Sequence, residues 1–360
     1  MSYRIYIGPK TNAPSFSWVL TDIFKFLEKQ YPNYAISYFD NEEEIDSSCD
    51  MVIFSKHIPT SSTFIRLKKC KIVFIPIDCF YSTFHIWSEL PALTLFDGIL
   101  IHNTNIKEFL PSRVCTYQID HYRKYVIERK AELDNKMLWL GVSEYVPLTI
   151  DFLIREKIHP KEILLLADTQ NIIKDMRSFN KNLESFNLPE CVIEKNEAIS
   201  INGYLVQQWT PERQNSYLAI CKACIDVKTN DFRHYTKPPT KCQLHASSGI
   251  PQFVNIEHPA IGLLEFDGIR LKTIDEMKKM NVYELESYGN DLLKQCNGRY
   301  ELENVAKTYF QAISCIVEST SNKRSFMVLK LVFRELRHIL FSNLSSGSHI
   351  REFIRRTVGK

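Results

Sequence analysis

No apolar run in the 360 residues approaches the roughly 20 that a membrane-spanning helix requires, so no segment is expected to cross a bilayer. The opening Met-Ser-Tyr-Arg-Ile-Tyr-Ile lacks the basic region and long apolar core of a secretory leader, which predicts a cytoplasmic protein. Low-complexity tracts are missing as well. A single glycine, Gly8, follows the first strand, where a dinucleotide fingerprint needs three to bring backbone against a pyrophosphate; a nicotinamide or flavin cofactor is therefore not expected. Ten cysteines are scattered along the chain, and as cytoplasmic thiols they should stay reduced. Cys221-Lys-Ala-Cys224 is a lone CxxC with only Cys242 and His245 near it in sequence, and a zinc site would want a second pair or well-spaced histidines. Nor does an acidic Asp-x-Asp pair stand at a strand end to hold a divalent ion, so no metal is expected.

What is present is a chain longer than one core usually organises, which predicts two domains. Apolar, often β-branched runs at 3–7, 35–39, 51–54, 71–77 and 98–101 read as strands. Between them, helical spacing appears at 16–27, 60–69, 80–92 and 105–109. Such alternation predicts a parallel sheet covered on both faces. Arg113 to Ile119 leads into Asp120-His-Tyr-Arg and a charged helix, a plausible crossover. The pattern then restarts with strands at 136–140, 162–167, 191–194, 204–206 and 224–227 and helices at 146–156, 171–187 and 211–221. The predicted organisation is a Rossmann-like domain over 1–122, a second over 123–320, and basic amphipathic helices over 321–360 that pack back on the first domain.

One stretch, Asp231 to Asn255, holds the densest signals. It follows a strand and begins with Arg233, His234 and Lys237; Pro238 and Pro239 then stand where a helix would start, since Pro suits a first turn. The spacing predicts a helix from about Thr240 to Ser248, Gly249 as a left-handed stop and Pro251 barring continuation into a strand at 252–255. A helix N-terminus beside Arg233, Lys237 and Lys241 suits a phosphate or diphosphate, although lysines on a solvated loop would read the same way.

Lys237-Pro-x-x-Lys241, a short helix ending in small residues, Gly249-x-Pro251 and a hydrophobic strand together resemble the donor-side signature of GT-B glycosyltransferases. The resemblance covers roughly residues 1–320, and it implies an α/β architecture of two Rossmann-like domains facing each other across a cleft, with C-terminal helices. It implies transfer of a sugar from a nucleotide-sugar donor to a glycan or glycolipid acceptor in surface polysaccharide assembly, without a cofactor. Lys241 stands eight residues before Gly249, the offset of the basic residue that faces the donor phosphates. Five residues before that Gly, many members carry an acid for the donor ribose, and here Leu244 departs from the pattern. A nucleotide-sugar epimerase and a catalytically silent binding protein are the other classes that would keep this fold.

Within that frame, donor phosphates are assigned to Arg233, Lys237, Thr240 and Lys241, where cations would stabilise the departing nucleotide. Gly141 heads the first turn of the second half and is read as donor-facing or as a plain tight turn. Trp209 stacks on a nucleobase or fills space between helix and sheet, and His234 binds a phosphate or sugar hydroxyl or is an ordinary loop residue. Glu257 is taken for sugar or ribose, with Glu265 and Asp267 not separable from it. On the acceptor side, Asp78 is the first choice of general base, its alternative being a cap for a helix near Phe80; His57 is the second choice. Asn12 and Ser15 border the same edge.

Residues 323–360 hold nine Lys or Arg against two Glu, while the rest of the chain is mildly acidic. The helix predicted at 325–341 gathers Lys330, Arg334 and Arg337 on one face and apolar residues on another, and Arg351, Arg355 and Arg356 repeat this on a shorter helix. Three readings stay open: apolar face in the core with basic face solvated, peripheral membrane docking through 325–357 at the inner face of the membrane, and nucleic acid, which no accompanying motif supports.

Overall fold

The computed structural model describes residues 3–12, 14–319 and 326–346. The chain forms two compact units, one of Met1–Lys124, Asn230–Pro238 and Arg299–Lys360, the other of Tyr125–Thr229 and Pro239–Gly298. Asn230–Pro238 and the described residues 299–319 group with the first unit, where the sequence reading placed them in the second domain.

The first unit is built on six parallel strands, β1 (Tyr3–Gly8), β2 (Tyr34–Tyr38), β3 (Met51–Ser55), β4 (Lys71–Ile75), β5 (Gly98–Ile101) and β6 (Thr116–Gln118), in the order β2-β1-β3-β4-β5-β6. Period-two alternation sends Met51, Ile53, Val73 and Ile75 into one core layer and Val52, Phe54, Ile72 and Phe74 into the other. That is why β3 is buried at every position and reads as a continuous apolar run. On the first face lie the segment Pro14–Gln30, which contains a π turn at Ser17–Thr21, and the helix Leu302–Glu318. Phe24 meets Tyr309 edge-on with centroids 6.0 Å apart, and Tyr31 stacks on Phe310 at 4.1 Å. The opposite layer is covered by Ser61–Arg66 and Thr83–Leu93, against which the helix Met327–Ser346 packs.

The second unit carries β7 (Asp134–Leu140), β8 (Ile163–Ala167), β9 (Val192–Ile193), β10 (Ile199–Ile201), β11 (Tyr204–Gln208), β12 (Cys221–Asp226), β13 (Gln252–Val254) and β14 (Lys272–Thr273). Their order is β14-β13-β12-β7-β8-β11-β10-β9, and every pairing is parallel except those of β10. The β10–β11 hairpin was not expected, yet its turn is Asn202-Gly203, both at positive φ (50° and 82°), the residue pair that a tight hairpin favours.

Two predicted helices are revised. Residues after Asp120 form no helix: Lys130 N–H donates to Ala219 O, and the Arg129 guanidinium donates to Leu218 O and Cys221 O, so this charged segment is tied down as an irregular strap. The helix expected over 171–187 is two, Thr169–Lys174 and Met176–Glu184, broken at Asp175, whose φ of −126° is not helical and whose carboxylate caps the second piece. The helix expected around 351–356 lies outside the described residues.

Candidate functional site

In the second unit the carboxyl ends of β7 and β12 meet the start of the helix Thr240–Ser247. Pro239 precedes that helix and no side chain caps it, so its first-turn N–H groups lack intrahelical partners. At the far end, Gly249 takes φ +66° while its N–H donates to Ala246 O and Ile250 N–H donates to His245 O, a Schellman stop. The helix thus begins and ends where the sequence predicts.

Lys241 is the first-turn side chain that reaches the sheet edge. Its ammonium donates to Leu140 O and to Asp226 Oδ1, both at 2.6 Å, and lies 5.8 Å from the centroid of the Trp139 ring. One N–H remains, and a third of the side chain is exposed. Asp226, the last residue of β12, is buried and also receives Lys228 Nζ at 3.3 Å and His258 Nε2 at 3.1 Å. Ala260 N–H donates to His258 Nδ1, which leaves Nε2 to carry the imidazole proton toward Asp226. Burial would raise the Asp226 carboxyl, but Lys228, Lys241 and His258 outweigh it and hold the group well below the carboxylate range. Lys228 shows the reverse balance: burial would lower it, and Asp226 raises it. Burial keeps His258 below its usual value despite the carboxylate. At neutral pH the cluster therefore holds two ammonium groups against one carboxylate, and its surplus positive charge reaches solvent through Lys241.

Asp226, Cys242 and His258 place an oxygen, a sulfur and a nitrogen within 4.8 Å of one another. This set does not suit a cation, because two ammonium groups already serve the carboxylate and burial pushes the Cys242 thiol up to about 12.

Gly141 follows β7 because a Cβ there would come within 2.2 Å of the Trp139 ring, and its N–H donates to Leu166 O. Trp209 is 40% exposed, with its indole N–H donated to Gln214 Oε1 at 2.8 Å. Glu257 is exposed next to the buried His258, and Leu244 packs into the core of this unit.

The other predicted donor residues belong to the first unit. Residues Phe232–Thr236 form a short helix capped by Asp231, not a loop. His234 is buried with Nδ1 2.9 Å from Asp231 Oδ2. Asn103 Nδ2 donates to Tyr235 O and Lys237 O at 2.9 Å, fixing the backbone around Lys237; Arg233 is exposed. Of the four residues assigned to the donor phosphates, Thr240 and Lys241 belong to one unit and Arg233 and Lys237 to the other.

At the carboxyl edge of the first sheet, Asp78 is exposed in a turn with φ +49°, and the helix it was expected to cap begins at Thr83 with Ser82 as its cap. His57 is paired with Glu42, whose carboxylate also accepts from Thr60. Burial would raise this carboxyl, but His57, Thr63 and Thr60 bring it down to about 2. Asn12 is exposed and Ser15 half-buried in the loop and first turn after β1. Not foreseen were His102, directly after β5, and His121, after β6. Their rings lie 4.3 Å apart, His102 Nε2 meets Tyr309 OH at 3.1 Å, and His102 lines a small pocket with Pro76, Ile77, Asn103 and Thr236. Asp226, Lys228 and His258 were likewise missed. A titratable residue at the end of an apolar strand, the signal used for Asp78, was also present at Asp226 and at His102.

No protein-family model matches the sequence, and no curated protein matches it either. Among solved structures, the crystal structure of Anabaena HepE in complex with UDP and glucose superposes with a TM-score of 0.57 at 9% identity, covering 87% of this chain and 99% of that one. The lipopolysaccharide outer core galactosyltransferase WaaB, in its apo form, gives 0.51 at 13% identity, with 87% and 99% covered. Both are glycosyltransferases of the GT-B type. With two Rossmann-like parallel-sheet domains and C-terminal helices, the chain has the GT-B glycosyltransferase fold.

Proposed function

We propose that the protein is a glycosyltransferase that moves a sugar from a nucleotide-sugar donor to a glycan or glycolipid acceptor, without a metal ion. The observation that carries this reading is Lys241, held at the sheet edge by Asp226 and Leu140 O with one N–H and a third of its surface left over, beside an uncapped helix start. As the bond from sugar to diphosphate breaks, negative charge grows on the leaving oxygen, and a fixed ammonium with helix-end N–H groups stabilises that charge more than the ground state. The surplus positive charge of the cluster does the work a divalent ion would do elsewhere. The HepE structure was solved with UDP and glucose, which supports a uridine nucleotide as the first donor to try. On the acceptor side Asp78, exposed at the edge of the first sheet, is our choice of general base. Work on the cytoplasmic side, in surface polysaccharide assembly, completes the reading.

The test is a thermal-shift screen with UDP, GDP, dTDP, ADP and CMP, followed by nucleotide release from the matching sugars. A ligand at about 100 times its Kd stabilises by about 2.7 kcal/mol through mass action. Lys241→Ala is expected to remove most of that shift; reading the shift rather than the melting temperature separates this from destabilisation caused by leaving Asp226 with fewer partners. An unchanged shift in the variant would place the phosphates elsewhere. Epimerised sugar would replace transfer with isomerisation, and binding without turnover would leave a silent binding protein.

A further inference from the structure

The helix Met327–Ser346 is amphipathic, but it is mounted with its apolar side outward. Toward the protein it turns Leu331, which is 3% exposed, and Arg334, whose guanidinium donates to Glu89 Oε2 at 2.8 Å and to Pro59 O at 2.7 Å. His338 Nε2 reaches the same buried Glu89 at 2.9 Å, and Glu335 accepts from Ser61. The outer side presents Leu329, Val332, Phe333, Leu336, Ile339 and Leu340, each between 49% and 56% exposed. Their spacing of three and four residues makes one continuous stripe. Scattered surface apolar residues need no explanation, but a helix face of them does.

Cations and a tryptophan flank the stripe. Lys330 lies near Arg113, and Arg337 donates to Trp87 O while sitting 4.5 Å from the centroid of the Trp87 ring, itself 38% exposed. Protein interfaces deplete lysine, whereas the described rim of this stripe carries Lys330 and Arg337, a cationic edge that complements an anionic surface. An apolar face with basic and indole side chains at its rim is the pattern of a helix lying in the plane of a bilayer interface. No helix of the described residues is long and apolar enough to cross one. We propose that the outer face of Met327–Ser346 docks on an anionic lipid bilayer, with Leu329, Phe333, Leu336 and Leu340 entering the acyl boundary and Lys330 and Arg337 at the headgroups. This extends the sequence-based reading of 325–357 and changes its basis, because Arg334 is spent inside the protein and the contact is made chiefly by apolar side chains.

The test is co-sedimentation of the full chain with phosphatidylcholine vesicles, with and without added phosphatidylglycerol. The wild type should bind the anionic vesicles and bind less at high salt. Phe333→Asp with Leu336→Asp should weaken binding roughly tenfold or more, with unchanged melting temperature and unchanged nucleotide shift, and Lys330→Gln should weaken it about fivefold. Failure of the wild type to bind, or equal binding by the double variant, would overturn the proposal. So would a self-associating wild type that the double variant makes monomeric, since a second copy would then cover the face. The nucleotide shift is scored separately, so loss of the transferase reading would leave this result standing, and the reverse.

Discussion

The helices Leu302–Glu318 and Met327–Ser346 follow one another in the chain, belong to the same unit and are both amphipathic, yet they are mounted in opposite senses. The first buries Val305, Tyr309, Ile313 and Ile316 against the segment Pro14–Gln30 and β5, and its charged pair Glu303–Lys307 faces water. The second buries Arg334 and leaves its leucines outside. What decides the difference is the surface each helix meets. The segment Pro14–Gln30 offers Phe24, Leu20 and Ile23, so an apolar face gains by covering it. Thr83–Leu93 offers Glu89, a buried carboxylate that costs several kcal/mol unless an ion pair and hydrogen bonds satisfy it. A helix that supplies Arg334 and His338 meets that demand, and its apolar side then has nowhere to go but outward.

The largest effect that would break this comparison comes from the buried ion pair. Arg334→Ala should cost about 3–5 kcal/mol in denaturant unfolding, because Glu89 is left buried with His338 alone. A cost near zero would mean that Glu89 is solvated and that the inward basic face has no cause. Next in size is an acid effect on the other side of the unit. His121 is buried with both ring nitrogens lacking a hydrogen-bond partner among the described residues, and it faces the His102 ring, Asp78 and Lys56. Burial, only partly countered by Asp78, pushes it down to about 4. A histidine whose folded value lies below its unfolded value of about 6.5 contributes in full above that pH and loses its contribution as pH falls toward 4, up to about 3 kcal/mol. His102, also held low by burial, links this stack to Tyr309, so the acid loss acts where the first helix is anchored. Unfolding measured from pH 7 to 4 should show a decline that His121→Leu makes shallower; a flat wild-type profile would remove the effect.

Much of this was legible in the sequence, and what was not has physical reasons. The apolar strand runs of both sheets, the helix start at Thr240 and the stop at Gly249 are local signals, so they carried through. The place of Lys241 in the first turn was legible because its spacing from Gly249 is fixed by one helix. Its partner Asp226 lies fifteen residues away and became visible only when β12, β7 and the helix were brought together. The grouping of Arg233 and Lys237 with the first unit follows Asn103 holding Tyr235 O and Lys237 O, a contact across more than a hundred residues. The charged strap after Asp120 had helical composition but few apolar residues, so the backbone bond to Ala219 and the guanidinium bonds from Arg129 decided its shape. Periodicity also located both faces of Met327–Ser346; it could not say which faces inward, because that rests on Glu89, the lone acid in the helix Thr83–Leu93.

The smallest effect sharpens the comparison most. Ile313→Val removes one methyl from a site that is 2% exposed and should cost about 0.5–1.5 kcal/mol. Val332→Ala removes two from a site that is 49% exposed and should stay within about 0.5 kcal/mol. The larger truncation is thus expected to cost less, an ordering that helix propensity reinforces, since Ala is the better helix former. Both variants are measured by urea unfolding of the same full chain without lipid. If Val332→Ala cost as much as Ile313→Val, the outer face would already be covered in solution, and the two helices would be mounted alike after all. If the expected ordering holds, adding anionic vesicles should leave Ile313→Val where it was and make Val332→Ala measurably costly, because only then does the second helix gain an apolar neighbour to lose.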